Sequence, residues 1–255
     1  LGIASGDPAP DGVVLWTRLL LTDPAQMLAA HTVRWEVAQD AGFAQIVQKG
    51  ESPALPALGH SVHVELQGLL PARWYHYRFM LGDAVSPTGR TRTAPAAGDL
   101  PGALRVAFAS CQRWEHGHYA AWRHLAADQP DLVLFLGDYI YEYATPKTTT
   151  DLARTHSLRH ATTLADYRDR YALHKSDPAL QLAHATCPWA VTWDDHEVQN
   201  DYAANAGRGE TAGSAPFLAQ RSAAWQAFYE NMPLRAASLQ RPASTSGWDA
   251  LQIYR

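Results

Sequence analysis

Near residue 97 the hydrophobic pattern of this chain changes period, and two periods demand two kinds of architecture. Before it, GVVLWTRL, TVRWEVA, FAQIVQKG, SVHVELQGL and RWYHYRFML are short runs divided by the turn-rich stretches SGDPAPDG, GES and LGDAVSP. Val33, Trp35 and Val37 alternate with Arg34 and Glu36, and Tyr75, Tyr77 and Phe79 alternate with His76 and Arg78. Such alternation predicts half-buried antiparallel strands. Residues 1–97 therefore read as an all-β sandwich of immunoglobulin or fibronectin type, with an open sheet packed on the next domain as the alternative.

The Pro-, Gly- and Ala-rich segment TAPAAGDLPGA marks the boundary. From residue 98 to 255 the order becomes strand, helix, strand. LRVAFAS, LVLFLG and WAVTW are strands; GHYAAWRHLAA, TLADYRDRYALH, PALQLAHA and LAQRSAAWQAFYENM are helices. Asp177-Pro178 is an N-cap followed by proline at the first helical position. A β-α-β order implies parallel strands with right-handed crossovers, hence a layered α/β domain. AANAGRGETAGSAP reads as a flexible surface loop, and GWDALQIYR as the start of a further strand.

With 255 residues, 47% of them apolar and nine Trp, the chain can bury a sizeable core. A net charge of −4 without a basic block argues against nucleic acid or an anionic membrane as the main partner. No apolar run reaches the roughly 20 residues of a membrane span. Both ends break into a pattern, so the sequence reads as part of a longer protein.

Ligands of open α/β sheets bind at the carboxyl ends of the strands. Here the three strands run into Ser110-Cys111-Gln112, into Gly137-Asp138-x-x-Tyr141, and into Asp194-Asp195-His196-Glu197 with Asn200 and Asp201 close behind. One strand-end Asp is ordinary turn chemistry; three endings of this kind in one sheet point to a metal centre. Thiolate, phenolate and carboxylate together suit a highly charged ion. Asp138 can bridge two ions, Asn200 is a neutral oxygen donor, and His196 is a ligand or a general acid. Such a centre makes hydroxide from bound water and neutralises charge on a phosphoryl group.

Cys111 and Cys187 lie at opposite ends of what should be parallel strands, roughly 17–20 Å apart at about 3.3 Å per residue. That is beyond the reach of a disulfide, so both are expected as free thiols. Arg113 is a candidate for binding the anionic substrate. RTHSLRH (154–160) reads as a solvated loop. His60, His63 and His76 are expected on the solvent face of the sandwich, and His174 and His184 as structural or exposed. Trp114, Trp122, Trp189 and Trp193 read as core or site wall.

GIASGDPAPDGVVLWTRL, VAFASCQ, DLVLFLGDYIYEY and WAVTWDDHEVQND resemble the alkaline phosphatase D (PhoD-like) family of calcineurin-like metallophosphatases. The resemblance implies a sandwich followed by a metallophosphatase domain holding ferric iron (Fe3+) and calcium (Ca2+). It implies hydrolysis of phosphomonoesters and phosphodiesters by metal-hydroxide attack on phosphorus. By the same resemblance Cys111 is an iron-binding thiolate, Asp138 the bridging carboxylate and Tyr141 the phenolate ligand of iron. Asp195 or Asn200 supplies an oxygen to the second metal, and His196 approaches the substrate. Export in folded form by the twin-arginine route is implied too, to the periplasm, cell surface or medium, by a signal peptide that this sequence does not contain. The family takes further His and Asp ligands from well downstream, whereas no His follows residue 202. Residues 98–255 are therefore expected to be the N-terminal part of the catalytic domain. The competing reading is a non-catalytic binding or scaffold module.

Overall fold

The computed structural model describes residues 1–148, 151–238 and Trp248. The N-terminal part supplies β1 (Ile3–Ala9), β2 (Gly12–Arg18), β3 (His31–Ala38), β4 (Ile46–Ala54), β5 (Ser61–Glu65), β6 (Trp74–Leu81), β7 (Ala84–Val85) and β8 (Gly89–Arg92), with one helical turn, α1 (Pro24–Met27), after β2. The C-terminal part supplies β9 (Val106–Ala109), α2 (Ala120–Ala127), β10 (Leu132–Phe135), α3 (Leu164–Lys175), α4 (Pro178–Thr186), β11 (Trp189–Val191) and α5 (Ala215–Asn231).

The strands form two sheets. One has the order β5-β2-β1-β11-β10-β9; the other has β4-β3-β6-β7, with β8 also paired to β6. In the first sheet β5, β2 and β1 are antiparallel, β1 joins β11 in parallel opposite Trp189, and β11, β10 and β9 are parallel. The expected boundary at 97/98 falls in the loop between β8 and β9, yet this sheet runs across it. The two parts share a hydrogen-bonded backbone.

Each part keeps its own core. Ile3, Val13, Leu15, Val33, Val37, Val62, Val64, Tyr75, Tyr77 and Phe79 are packed between the two sheets. Val133, Phe135, Trp189, Trp122, Tyr139, Tyr171 and Phe228 form the second core, beneath the helices. The face of β2 turned away from the sandwich is also covered: Trp16 is 1% exposed, and its indole N–H donates to the Glu230 carbonyl of α5 at 2.9 Å. Burial on both faces explains why GVVLW is a continuous apolar run. In β3 and β6 the alternation matches half-burial.

Two expectations are corrected. SGDPA was assigned to a turn, but Ser5–Ala9 lies in β1. Gly6 is there for space: a Cβ would lie 2.5 Å from the Pro233 carbonyl oxygen and 2.8 Å from that of Trp189. His60 and His63 do not face solvent. His60 is buried, and the His63 ring stacks on Tyr229 at 4.4 Å with Nε2 2.9 Å from the Met232 carbonyl. Burial pushes the His63 pKa down to about 4. The segment 203–216 is a largely exposed surface loop, with an Ala203–Ala206 bridge and Arg221 donating to the Ala204 carbonyl and Asn205 Oδ1 at its start.

His174 and His184 are buried. Both cysteines are free, Cys187 buried and Cys111 exposed. Asp177 caps α4 by accepting from the N–H groups of Ala179 and Leu180, with Pro178 in the first turn. The strand read at GWDALQIYR lies, apart from Trp248, outside the described residues. Among the described residues no helix is long and apolar enough to cross a membrane.

Candidate metal centre

Because β9, β10 and β11 are parallel, the loops that follow them leave from one edge of the sheet. These loops are laced by backbone: Cys111 N–H donates to the Gly137 carbonyl and Gln112 N–H to that of Asp138, each at 3.1 Å. The chain turns sharply there. Cys111 and Asp138 are left-handed, with φ of 58° and 55°, and Gly137 has φ 105°. A left-handed non-glycine residue costs roughly 1–3 kcal/mol, and such residues collect at functional sites. Gly137 has a second reason: a Cβ would stand 2.5 Å from Asp194 Cβ.

Glu197 holds the second and third loops together. Its buried carboxylate accepts from the N–H groups of Tyr139 (2.6 Å), Asp194 (2.7 Å) and Asp138 (3.1 Å). Burial outweighs these bonds and raises its pKa to about 7.

On this scaffold Asp138, Asp195 and His196 each bring a ligand atom within 4.8 Å of the others. Asp138 is 6% exposed. Its Oδ2 accepts from the Tyr141 hydroxyl at 2.9 Å, and its Oδ1 is buried with no hydrogen-bond partner. Burial raises the Asp138 pKa against the pull of Tyr141, His196 and Cys111. Burial, followed by the bond to Asp138, raises that of Tyr141. For His196, burial disfavours the charged form, but Glu142, Asp138 and Asp195 outweigh it and the pKa rises. A buried carboxylate oxygen without a donor is costly. A cation is the partner it lacks, and the neighbouring thiol, phenol, carboxylate and imidazole are the donors that would share one. The cluster can hold a metal.

The other expected residues surround this group. The Cys111 thiol interacts with both Asp138 and Tyr141. Asn200 turns its side-chain amide to Asp201 Oδ2 at 2.7 Å, and Asp201 N–H donates to Asp195 Oδ2 at 2.6 Å. Arg113 holds its guanidinium 5.7 Å from the ring centres of Tyr141 and Tyr143, with Nε 3.3 Å from Glu115 Oε2. The 154–160 loop is not uniformly solvated, which corrects that expectation. Arg154 lies over Trp114 and pairs with Asp177 at 2.8 Å, while His156 meets Glu115 at 3.2 Å. Thr155, Ser157, Arg159 and His160 are exposed, as a solvated loop requires.

Sequence reasoning missed Glu142 and Glu197. Glu142 is fully buried, 2.7 Å from His196 Nδ1, and accepts the Asn200 N–H at 2.9 Å. The one sequence signal was acidic residues inside apolar stretches, GDYIYEY and DDHEV, where a charge must find partners.

The chain is similar to known phosphatases. The profile of the PhoD-like phosphatase family matches residues 106–255, and that of the PhoD-like phosphatase N-terminal domain matches residues 1–95. Alkaline phosphatase D of Bacillus subtilis (strain 168) is 49% identical over 260 residues, covering all of this chain and 43% of that protein. A solved structure described as PhoD is 48% identical with a TM-score of 0.88, over all of this chain and 48% of that one. The chain thus spans less than half the length of both.

Proposed function

We propose, for a chain that belongs to the PhoD-like phosphatase family, that it carries part of the active site of a metal-dependent phosphatase acting on phosphomonoesters and phosphodiesters. The observation that carries this reading is the buried Asp138 carboxylate, which has an oxygen without a hydrogen-bond partner and groups with Asp195 and His196. Cys111, Asp138, Tyr141 and Asp195 or Asn200 would hold the ferric and calcium ions that the family relationship suggests, Cys111 and Tyr141 being the donors suited to iron. When bound, such a centre supplies a nucleophilic water at neutral pH and neutralises charge on the phosphoryl group.

The chain's own residues do the rest. His196 brings a ring nitrogen to the cluster, where it would approach the leaving oxygen of the substrate. Arg113 would bind non-bridging phosphoryl oxygens through its terminal nitrogens, with its Nε held by Glu115 and its guanidinium beside the rings of Tyr141 and Tyr143. Glu197 keeps the β10 and β11 loops at a fixed separation. The family relationship also supports export in folded form.

The test is hydrolysis of p-nitrophenyl phosphate and bis-p-nitrophenyl phosphate by the full-length protein, before and after chelation. Hydrolysis that chelation removes and metal restores supports the reading. Hydrolysis indifferent to chelator contradicts it.

A further inference from the structure

We infer that Glu142 is the positioning residue that fixes His196 in the orientation and tautomer needed at the metal centre, an inference that rests on the phosphatase reading above. Glu142 follows Asp138 by four residues, yet its carboxylate is spent on the loop after β11. Oε2 lies 2.7 Å from His196 Nδ1, and Oε1 accepts the Asn200 N–H at 2.9 Å. Its own backbone is anchored as well, since its carbonyl accepts from Ala161 N–H at 2.8 Å. The side chain is fully buried.

A buried carboxylate is an expensive way to join two loops when a neutral side chain could do so. What the charge adds is a fixed proton. With Nδ1–H committed to Glu142, Nε2 is the nitrogen left for the group formed with Asp138 and Asp195. Tyr141 and Tyr143 close off the ring, at centroid distances of 4.2 Å and 5.3 Å and interplanar angles of 38° and 72°. The imidazole is therefore walled by two aromatics and held at its far nitrogen. The arrangement has the form of a carboxylate–histidine pair that orients an active-site imidazole.

Two measurements test this. The first reads the tautomer directly: long-range 1H–15N correlation spectra of the full-length protein, with the His196 signals assigned by their loss in His196→Gln. Wild type should show the Nδ1–H form, and Glu142→Ala should move His196 toward the Nε2–H form. An unchanged tautomer in Glu142→Ala overturns the inference. The second is a double-mutant cycle with the near-isosteric Glu142→Gln, which guards against a folding defect. Glu142→Gln should lower kcat about tenfold or more with KM within about twofold. In a His196→Ala background the same change should alter kcat less than about twofold. Equal losses in both backgrounds would mean a purely structural role and would also overturn the inference. If the wild type hydrolyses no phosphate ester, the phosphatase reading fails, and the tautomer spectra alone decide whether Glu142 orients His196.

Discussion

The six-stranded sheet has two halves that contrast sharply. In β5, β2 and β1 the strands are antiparallel, both faces of β2 are buried, and consecutive strands leave from opposite edges. In β11, β10 and β9 they are parallel, and three loops leave from one edge carrying Cys111, Asp138, Tyr141, Asp195 and His196. The lesson concerns topology more than composition. Parallel strands bring residues distant in sequence to a single edge, where buried charge and left-handed backbone can be concentrated. The antiparallel half invests its residues in packing, and burial beneath α5 pushes the His63 pKa down.

That contrast can be broken most severely by Asp138→Asn. It should lower metal-dependent hydrolysis by the full-length protein roughly a thousandfold or more, without lowering the Tm of metal-free protein, because it removes a buried and incompletely satisfied carboxylate. A large drop in Tm would show that Asp138 serves stability and would erase the distinction. The converse change is Trp16→Ala in the antiparallel half. It should cost about 3–5 kcal/mol in urea unfolding while leaving metal stoichiometry per folded molecule unchanged.

Gly137→Ala sharpens the comparison at the junction between fold and chemistry. A Cβ 2.5 Å from that of Asp194, on a φ of 105°, should destabilise by more than about 1 kcal/mol. It should also weaken metal binding, since it displaces Asp138. The smallest effect is in pH. Half-buried His63, covered by Tyr229, and fully buried His174 have pKa values depressed by desolvation to about 4 and about 3. Below their ordinary value near 6.5 the unfolded chain binds protons that the folded chain does not. Stability should therefore fall as pH drops from about 6.5 to 4, by up to about 1.4 kcal/mol per pH unit for each residue. His63→Gln should flatten the pH dependence of the urea midpoint in that window; an unchanged slope would contradict the assignment.

Legibility in the sequence followed the range of the forces involved. The alternation in TVRWEVA and RWYHYRFML was readable because period two is local, and Asp177-Pro178 because capping is local. β1 was not, since Gly6, Asp7 and Pro8 are turn formers and only the later arrival of Trp189 and Pro233 makes a strand of them. His63 was misplaced because the alternation locates a face but does not reveal that α5 covers it. At the candidate metal centre the strand ends pointed to Asp138, Asp195 and His196. Glu142 and Glu197 were hidden, because most of the N–H and imidazole groups that they satisfy belong to loops more than 50 residues away in sequence.

The central claim is that the parallel strand ends form a metal centre with Cys111 and Tyr141 among its ligands. Its most direct test is titration of ferric ion into protein purified without chelator, followed by visible absorption. The account predicts saturable binding and a phenolate-to-iron charge-transfer band that disappears in Tyr141→Phe. No binding, or a band that persists unchanged in Tyr141→Phe, would contradict it.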